Sequence, residues 1–270
     1  MISAQYRCPI CQSRLTLKEH TYRCAQSHCF DKAKEGYVNL LPVQFKHSKQ
    51  PGDNKAMVNA RRAFLLQGYY QPLADKLVSI LKTLPLNNGT ILDAGCGEGY
   101  YTNQFRHNNQ VVYGVDIAKE AVKKAAKKYS ECHFSVATLS QLPFEDRSID
   151  TIVSIYAPIL SVEFNRVLSE SGYLITVTPG KNHLLALKQR IYQQALQHDE
   201  DKQSVDNMTL HCQEQLTYSM TLKTGEELLN LLSMTPFAFK ANEQVKQQLK
   251  KEHNFECQAD FLIRIYRKTA

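Results

Sequence analysis

Several groups of residues in this 270-residue chain have types and spacings that could do chemistry. The first is Cys8-Pro9-Ile10-Cys11, followed after twelve residues by Cys24, His28 and Cys29. Two close ligand pairs separated by a loop suit a tetrahedral structural zinc site. Cys8, Cys11 and Cys24 supply three ligands. His28 is the preferred fourth and Cys29 its rival, since both are within a turn's reach of Cys24. With all four positions filled by protein, the metal would be structural. Cys96, Cys132, Cys212 and Cys257 are scattered through the rest of the chain. That layout suggests one metal site and reduced thiols rather than a disulfide framework.

The second group is Leu92-Asp93-Ala94-Gly95-Cys96-Gly97-Glu98-Gly99. Three glycines at alternate positions let the backbone turn sharply and approach a ligand closely. The spacing G-x-G-x-G departs from the G-x-G-x-x-G of a dinucleotide turn, and Asp93 and Glu98 would repel a pyrophosphate. Asp116 follows at the end of the next apolar run, Val111 to Val115. Carboxylates here suit a ligand that is cationic and carries ribose hydroxyls. S-adenosylmethionine has a sulfonium, an ammonium and a ribose, and no phosphate. The turn resembles the first motif of the class I methyltransferases, whose ribose-binding acid is matched by Asp116.

These residues need elements to hold them. The apolar run at Thr90 reads as a strand, and Tyr101 to Arg106 as the helix after the turn. Strands are expected at Val111–Val115, His133–Ala137, Thr151–Ile155 and Tyr173–Thr178, with a helix over Ala118–Tyr129. Met208–Lys223 and Asn254–Arg267 read as a closing antiparallel pair with helices between them. Lys55 to Leu84 has helical spacing, interrupted at Gly68-Tyr69-Tyr70-Gln71-Pro72. Tyr156-Ala157-Pro158 ends the fourth strand, where an aromatic followed by proline offers a rigid apolar platform for an unstacked base. Asn182 is placed to cap a helix starting at His183 and running to Leu196, which sets His183 beside the cofactor cleft. A polar loop is expected over Gln44–Asn54 and a charged loop over His198–Lys202.

Composition narrows the class. The net charge is +7, and the first fifty residues hold eight basic and three acidic side chains. A basic N-terminal module favours a polyanion, nucleic acid first. Arg61 and Arg62, and Lys119, Lys123, Lys124, Lys127 and Lys128 along one helix face, could touch an RNA backbone. No apolar stretch reaches the roughly 20 residues of a membrane span, and the N-terminus has no apolar leader. A soluble cytoplasmic protein without membrane contact is expected.

The ordered set of motifs is more specific than any one of them. The cysteine knuckle, K-E-G-Y-V-N-L-L-P-V-Q, P-G-D, A-R-R-A-F-L, G-Y-Y-Q-P-L and L-D-A-G-C-G-E-G-Y-Y-T resemble, over essentially the whole chain, the bacterial 23S rRNA guanine-N1 methyltransferases (RlmA type). The resemblance implies an α/β fold, a class I (Rossmann-like) S-adenosylmethionine-dependent methyltransferase domain with an N-terminal zinc-binding module. It divides the chain into a zinc-binding, RNA-recognition module at 1–36, a connecting loop and helices at 37–85, and the methyltransferase domain at 86–270. It places the zinc ligands on Cys8, Cys11, Cys24 and His28. It places cofactor contacts on Tyr70, Gly97, Glu98 and His183, beside Asp93, Gly95, Gly99 and Asp116 of the turn. It implies methyl transfer to N1 of a guanine in a 23S rRNA hairpin loop, with Tyr156 and Pro158 as the active-site platform and no general base named. A homodimer would offer a larger RNA cleft. Ala137-Thr138 stands where many class I methyltransferases carry an adenine-reading acid. Ile159-Leu160-Ser161 and Ser171-Gly172 also depart from the family pattern. Two other readings are a small-molecule methyltransferase and a non-catalytic RNA-binding protein with a relic cofactor fold.

Overall fold

The computed structural model describes residues 6–43, 52, 54–85, 89–107, 110–192, 197 and 204–269. Most of the expected polar loop, the end of the helix expected to reach Leu196 and the charged stretch His198–Lys202 lie outside the described residues.

The chain opens with three short antiparallel strands, β1 (Thr16–Lys18), β2 (Thr21–Arg23) and β3 (Cys29–Asp31). Next come β4 (Val38–Asn39), α1 (Lys55–Leu66) and α2 (Gln71–Thr83). The glycine turn lies between β5 (Thr90–Ala94) and α3 (Tyr100–Gln104). Then follow β6 (Val111–Asp116), α4 (Lys119–Lys128), β7 (His133–Val136), β8 (Ile149–Ile155), α5 (Ser161–Val167) and β9 (Leu168–Pro179). The chain finishes with α6 (Leu185–Ile191), β10 (Met208–Leu222), α7 (Gly225–Ser233), α8 (Glu243–Lys250) and β11 (Phe255–Lys268).

Eight strands form one sheet in the order β10-β11-β9-β8-β5-β6-β7-β4. β4 to β9 run parallel, and β10 and β11 are antiparallel, as the sequence reading expects. From β5 the chain builds outward to β6 and β7, then returns to place β8 on the other side. That reversal opens a crevice at the carboxyl ends of β5 and β8, where open α/β sheets hold ligands.

Local sequence accounts for the helices. In α2, Leu73, Leu77, Ile80 and Leu81 fall on one buried face, and Pro72 sits in the first turn where its missing N–H costs nothing. In α4, Ala121, Val122, Ala125 and Ala126 pack inward while the lysines form the outer face. Thr224 and Glu227 make a reciprocal capping box at the start of α7.

Two boundaries differ from the sequence reading. β9 begins at Leu168, where Ile149 pairs with Leu168 before a register shift brings Thr151 opposite Tyr173. The extra residues sit in that irregularity, which alternation alone does not reveal. Asn182 does not cap a helix. Its side-chain oxygen accepts from Gln197 Nε2 at 2.9 Å, and α6 starts only at Leu185, after Leu184 adopts φ +54°.

The N-terminal module is built into the same body. β4 pairs with β7 as the eighth strand, and Leu40 N–H donates to Val136 O at 2.8 Å. Tyr6 is 1% exposed and packs against Tyr22, Tyr113 and Phe144, with ring centroids 5.3, 5.9 and 5.4 Å away. Arg7 N–H donates to Pro143 O, and the Arg7 guanidinium meets Asp146 at 2.9 Å. One apolar cluster therefore runs from Leu15 and Tyr22 through Tyr113 and Phe144 to Ile152 and Leu174.

Candidate active site and zinc centre

In the knuckle, the ligand atoms of Cys8, Cys11, Cys24 and His28 all lie within 4.8 Å of one another. Cys11 Sγ is 3.6 Å from Cys24 Sγ, and His28 Nδ1 is 3.6 Å from Cys8 Sγ and 3.4 Å from Cys24 Sγ. A tetrahedron with zinc–sulfur bonds of about 2.3 Å has edges of about 3.7 Å, so the four atoms match that metal's dimensions. The Ser13 hydroxyl and amide pull the Cys11 thiol down to about 6, toward the thiolate that a metal requires. The amide of His28 donates to Cys24 Sγ. Cys29 is exposed and turned to Ser27 O at 3.3 Å, outside the quartet. Of the two rivals for the fourth position, His28 is the one grouped with the three cysteines.

At the glycine turn, Gly95, Gly97 and Gly99 all have positive φ, between 53° and 83°. A Cβ on Gly95 would stand 2.6 Å from the Cβ of Ala157. The loop after β8 therefore lies directly on the turn. The Asp116 carboxylate accepts from Gly97 N–H at 2.9 Å and from Ala118 N–H at 2.7 Å, tying the end of β6 to the turn. Asp93 is buried and accepts from the Thr102 hydroxyl at 2.6 Å. Its burial lifts the carboxyl to about 7, with the nearby charge of Asp116 adding to the rise and Thr102 opposing it. Glu98 is also buried, which raises it to about 6 against the pull of Arg62, Lys128, Lys124 and Arg61. Arg62 Nε stands 3.6 Å from one Glu98 oxygen, while Oε1 is buried with no hydrogen-bond partner among the described residues. An orphaned carboxylate oxygen beside a turn that no Cβ fills suits the hydroxyls or ammonium of S-adenosylmethionine. Arg62, one of the two arginines that could touch an RNA backbone, reaches this turn.

Beyond the turn, Tyr156 is held at φ +56°. For a bulky residue that conformation costs about 1–3 kcal/mol and marks a position fixed by its surroundings. The residue is 47% exposed overall, while its hydroxyl points inward to His183 Nε2 at 3.1 Å. Burial among Tyr70, Tyr101, Tyr218 and Asp260 pushes the phenol well above its usual range and keeps it protonated. The Tyr70 hydroxyl reaches the same Nε2 at 3.4 Å. Tyr156, Ala157 and Pro158 line a cleft of about 350 Å³ together with Thr176, Thr178 and Pro179.

Asp260 belongs to no motif; of the two carboxylates in β11, Glu256 is exposed and Asp260 is buried. It is fully buried and accepts from Gln215, Thr217 and the amide of Asn182. Burial opposes its ionisation, but those hydrogen bonds prevail and hold it below the ordinary carboxylate range. Its amide donates to His183 Nδ1 at 3.1 Å. Gly180 leaves the room, since a Cβ there would fall 2.5 Å from the Asp260 carboxylate carbon.

Two family models match the chain, a zinc ribbon described as RlmA, N-terminal, over residues 6–49 and a methyltransferase domain over residues 86–234. A Bacillus subtilis protein provisionally named a 23S rRNA (guanine-N1)-methyltransferase is 28% identical over 97% of this chain and 96% of its own. A Micromonospora griseorubida protein with the same provisional name is 30% identical over 86% of each chain. The 23S rRNA (guanine(748)-N1)-methyltransferase of Streptomyces fradiae is 32% identical over 67% of this chain and 65% of its own. Among the described residues no helix is long and apolar enough to cross a membrane. With a ribbon quartet at one end, an acid-lined glycine turn in the sheet and these matches along its length, the chain belongs to the 23S rRNA (guanine-N1)-methyltransferase family of S-adenosylmethionine-dependent enzymes.

Proposed function

We propose that this protein acts in the cytoplasm and methylates N1 of a guanine in a hairpin loop of 23S rRNA. The observation that carries the reading is the close approach of Ala157 to Gly95, which brings the loop carrying Tyr156 and Pro158 onto the cofactor turn. A base unstacked onto Tyr156 and Pro158 would lie beside whatever the turn holds.

The cofactor supplies an electrophilic methyl group on a cationic sulfur. The residues that would hold it are Asp93, Gly95, Gly97, Glu98, Gly99 and Asp116 of the turn region, with Tyr70 and His183 at the side facing the cleft. His183 acts as a donor. A backbone amide can only donate, so Nδ1 is the lone-pair nitrogen and the ring proton sits on Nε2, facing Tyr156 and Tyr70. The buried Tyr156 phenol stays protonated, and the Asp260 carboxylate is engaged by three donors, so none of these serves as the base. Bound there, the cofactor would supply the methyl group that N1 takes up, and with none of these residues free to act as base the N1 proton would leave to solvent. The protein's contribution is then placement of two reactants in line. Zinc on Cys8, Cys11, Cys24 and His28 would be structural, shaping a basic module that meets the RNA backbone.

The test is transfer of labelled methyl from S-adenosylmethionine to transcripts of 23S rRNA hairpins by the purified zinc-loaded enzyme. N1-methylguanosine in a digest of one hairpin supports the reading. Label appearing only in small metabolites refutes it.

A further inference from the structure

One side of the Tyr156 cleft is built from strands. Ser154 of β8 stands opposite Thr176 of β9, Thr176 opposite Arg264 of β11, and Arg264 opposite Gln213 of β10. Residues opposite one another share a face of the sheet, so these four form one polar row. Thr178, two residues after Thr176, is on the same face. Arg264 is 5% exposed, and its guanidinium donates to Gln213 Oε1 at 3.0 Å and to the Thr178 hydroxyl at 3.4 Å.

Among the described residues the polar side chains lining the cleft are Ser154, Tyr156, Thr176 and Thr178. The Ser154 hydroxyl donates to Ala157 O at 3.2 Å, and the Tyr156 hydroxyl is turned to His183. The two threonines are left to meet a ligand. Thr176 is 1% exposed, and its Oγ1 has no hydrogen-bond partner among the described residues, a state that burial makes costly. A guanidinium can only donate, so Arg264 occupies a lone pair of the Thr178 hydroxyl and that hydroxyl's proton is directed away from the cation. A wall that offers hydroxyl protons suits a base edge with an acceptor. Guanine carries the carbonyl oxygen O6 beside N1, where adenine carries an amino group. O6 also takes up charge as N1 loses its proton, and a fixed donor backed by a buried cation stabilises that charge.

Resting on the guanine reading above, we propose that the Thr178 hydroxyl, backed by Arg264, donates to O6 of the target base with Thr176 as a second hydroxyl beside it, so that this wall selects a 6-oxopurine and eases the departure of the N1 proton.

The experiment uses the full-length zinc-loaded protein and a 23S rRNA hairpin that it methylates, carrying either guanosine or 2-aminopurine riboside at the target position. The second base lacks O6. Affinities are measured with S-adenosylhomocysteine present. Thr178→Val is expected to weaken the guanosine hairpin about tenfold, the scale of one hydrogen bond to a polar edge that gains charge, and to leave the 2-aminopurine hairpin unchanged. Methylation at saturating RNA is expected to fall by at least that factor, and Thr178→Ser, which keeps the hydroxyl, to restore it. Equal weakening of the two hairpins, no weakening of the guanosine hairpin, or no recovery in Thr178→Ser would each overturn the assignment. Failure of the wild-type protein to methylate any 23S rRNA hairpin would instead sink the rRNA reading itself.

Discussion

The main-chain amide of Asp260 donates to Nδ1 of His183 at 3.1 Å, and this one contact decides what the imidazole offers to its other neighbours. Nε2 then carries the proton shared between the hydroxyls of Tyr156 and Tyr70, at 3.1 and 3.4 Å. The proposed substrate platform and the proposed cofactor side meet on one N–H. His183→Phe keeps the ring and removes the donor. Turnover at saturating RNA is expected to fall about tenfold or more, the scale of one well-placed hydrogen bond, while the fold is retained. Steady-state rates with a hairpin substrate check this. An unchanged rate would mean that the N–H has no part in positioning Tyr156.

Asp93 couples stability to pH with a definite sign. Its folded value of about 7 lies above the ordinary 3.8, so the native protein binds this proton more tightly than the unfolded chain. The stabilisation is complete below about pH 4 and is lost as the pH rises through about 7, where the buried carboxyl ionises. Asp93→Asn removes the cost of ionisation and can still accept from Thr102. The ligand-free variant is expected to gain on wild type between pH 5 and pH 8, by a few kcal/mol at most, on the order of 3. The same variant should bind S-adenosylmethionine more weakly. Urea unfolding at the two pH values and calorimetry test both halves. A stability difference that does not change with pH would contradict the burial argument.

The knuckle gives a contrast between neighbours in sequence. Cys24 lies inside the quartet, and Cys29 points away from it toward Ser27 O. Cys29→Ser should therefore keep one zinc per chain, and Cys24→Ser should lose it together with several kcal/mol of stability. Metal analysis of the purified variants decides. Zinc retained in Cys24→Ser and lost in Cys29→Ser would reverse the assignment.

Tyr6 anchors the module to the sheet. Tyr6→Ala would leave a cavity between Tyr22, Tyr113 and Phe144 and should cost about 3–5 kcal/mol in denaturant unfolding. A loss below about 1 kcal/mol would show that the module and the sheet do not share a core.

Much of this arrangement was legible in the sequence because its signals are local. The glycine turn, the acid one strand later and the paired cysteines each carry their chemistry within a few residues. The strands of the sheet are legible from their apolar runs, and β10 and β11 read as a closing pair. The missing parts depend on contacts between distant segments. Nothing near Tyr6 says that it packs on Tyr113, nor near Val38 that it adds a strand to β7. The helix expected to begin at His183 starts two residues later, at Leu185, and the His183 ring is held by the amide of Asp260, seventy-seven residues away. Nothing near Arg62 says that it approaches Glu98. Because the Tyr6 core crosses between the module and the sheet, removing residues 1 to 36 would disturb the catalytic fold as well as the RNA grip. Point variants are the cleaner probe of substrate class.

The most direct test of the central claim is a mass-spectrometric map of methylated guanines in 23S rRNA from cells with and without this gene. The account predicts loss of a single N1-methylguanosine in a hairpin loop, restored by the wild-type protein and not by Tyr156→Ala. An identical map in both strains would contradict it.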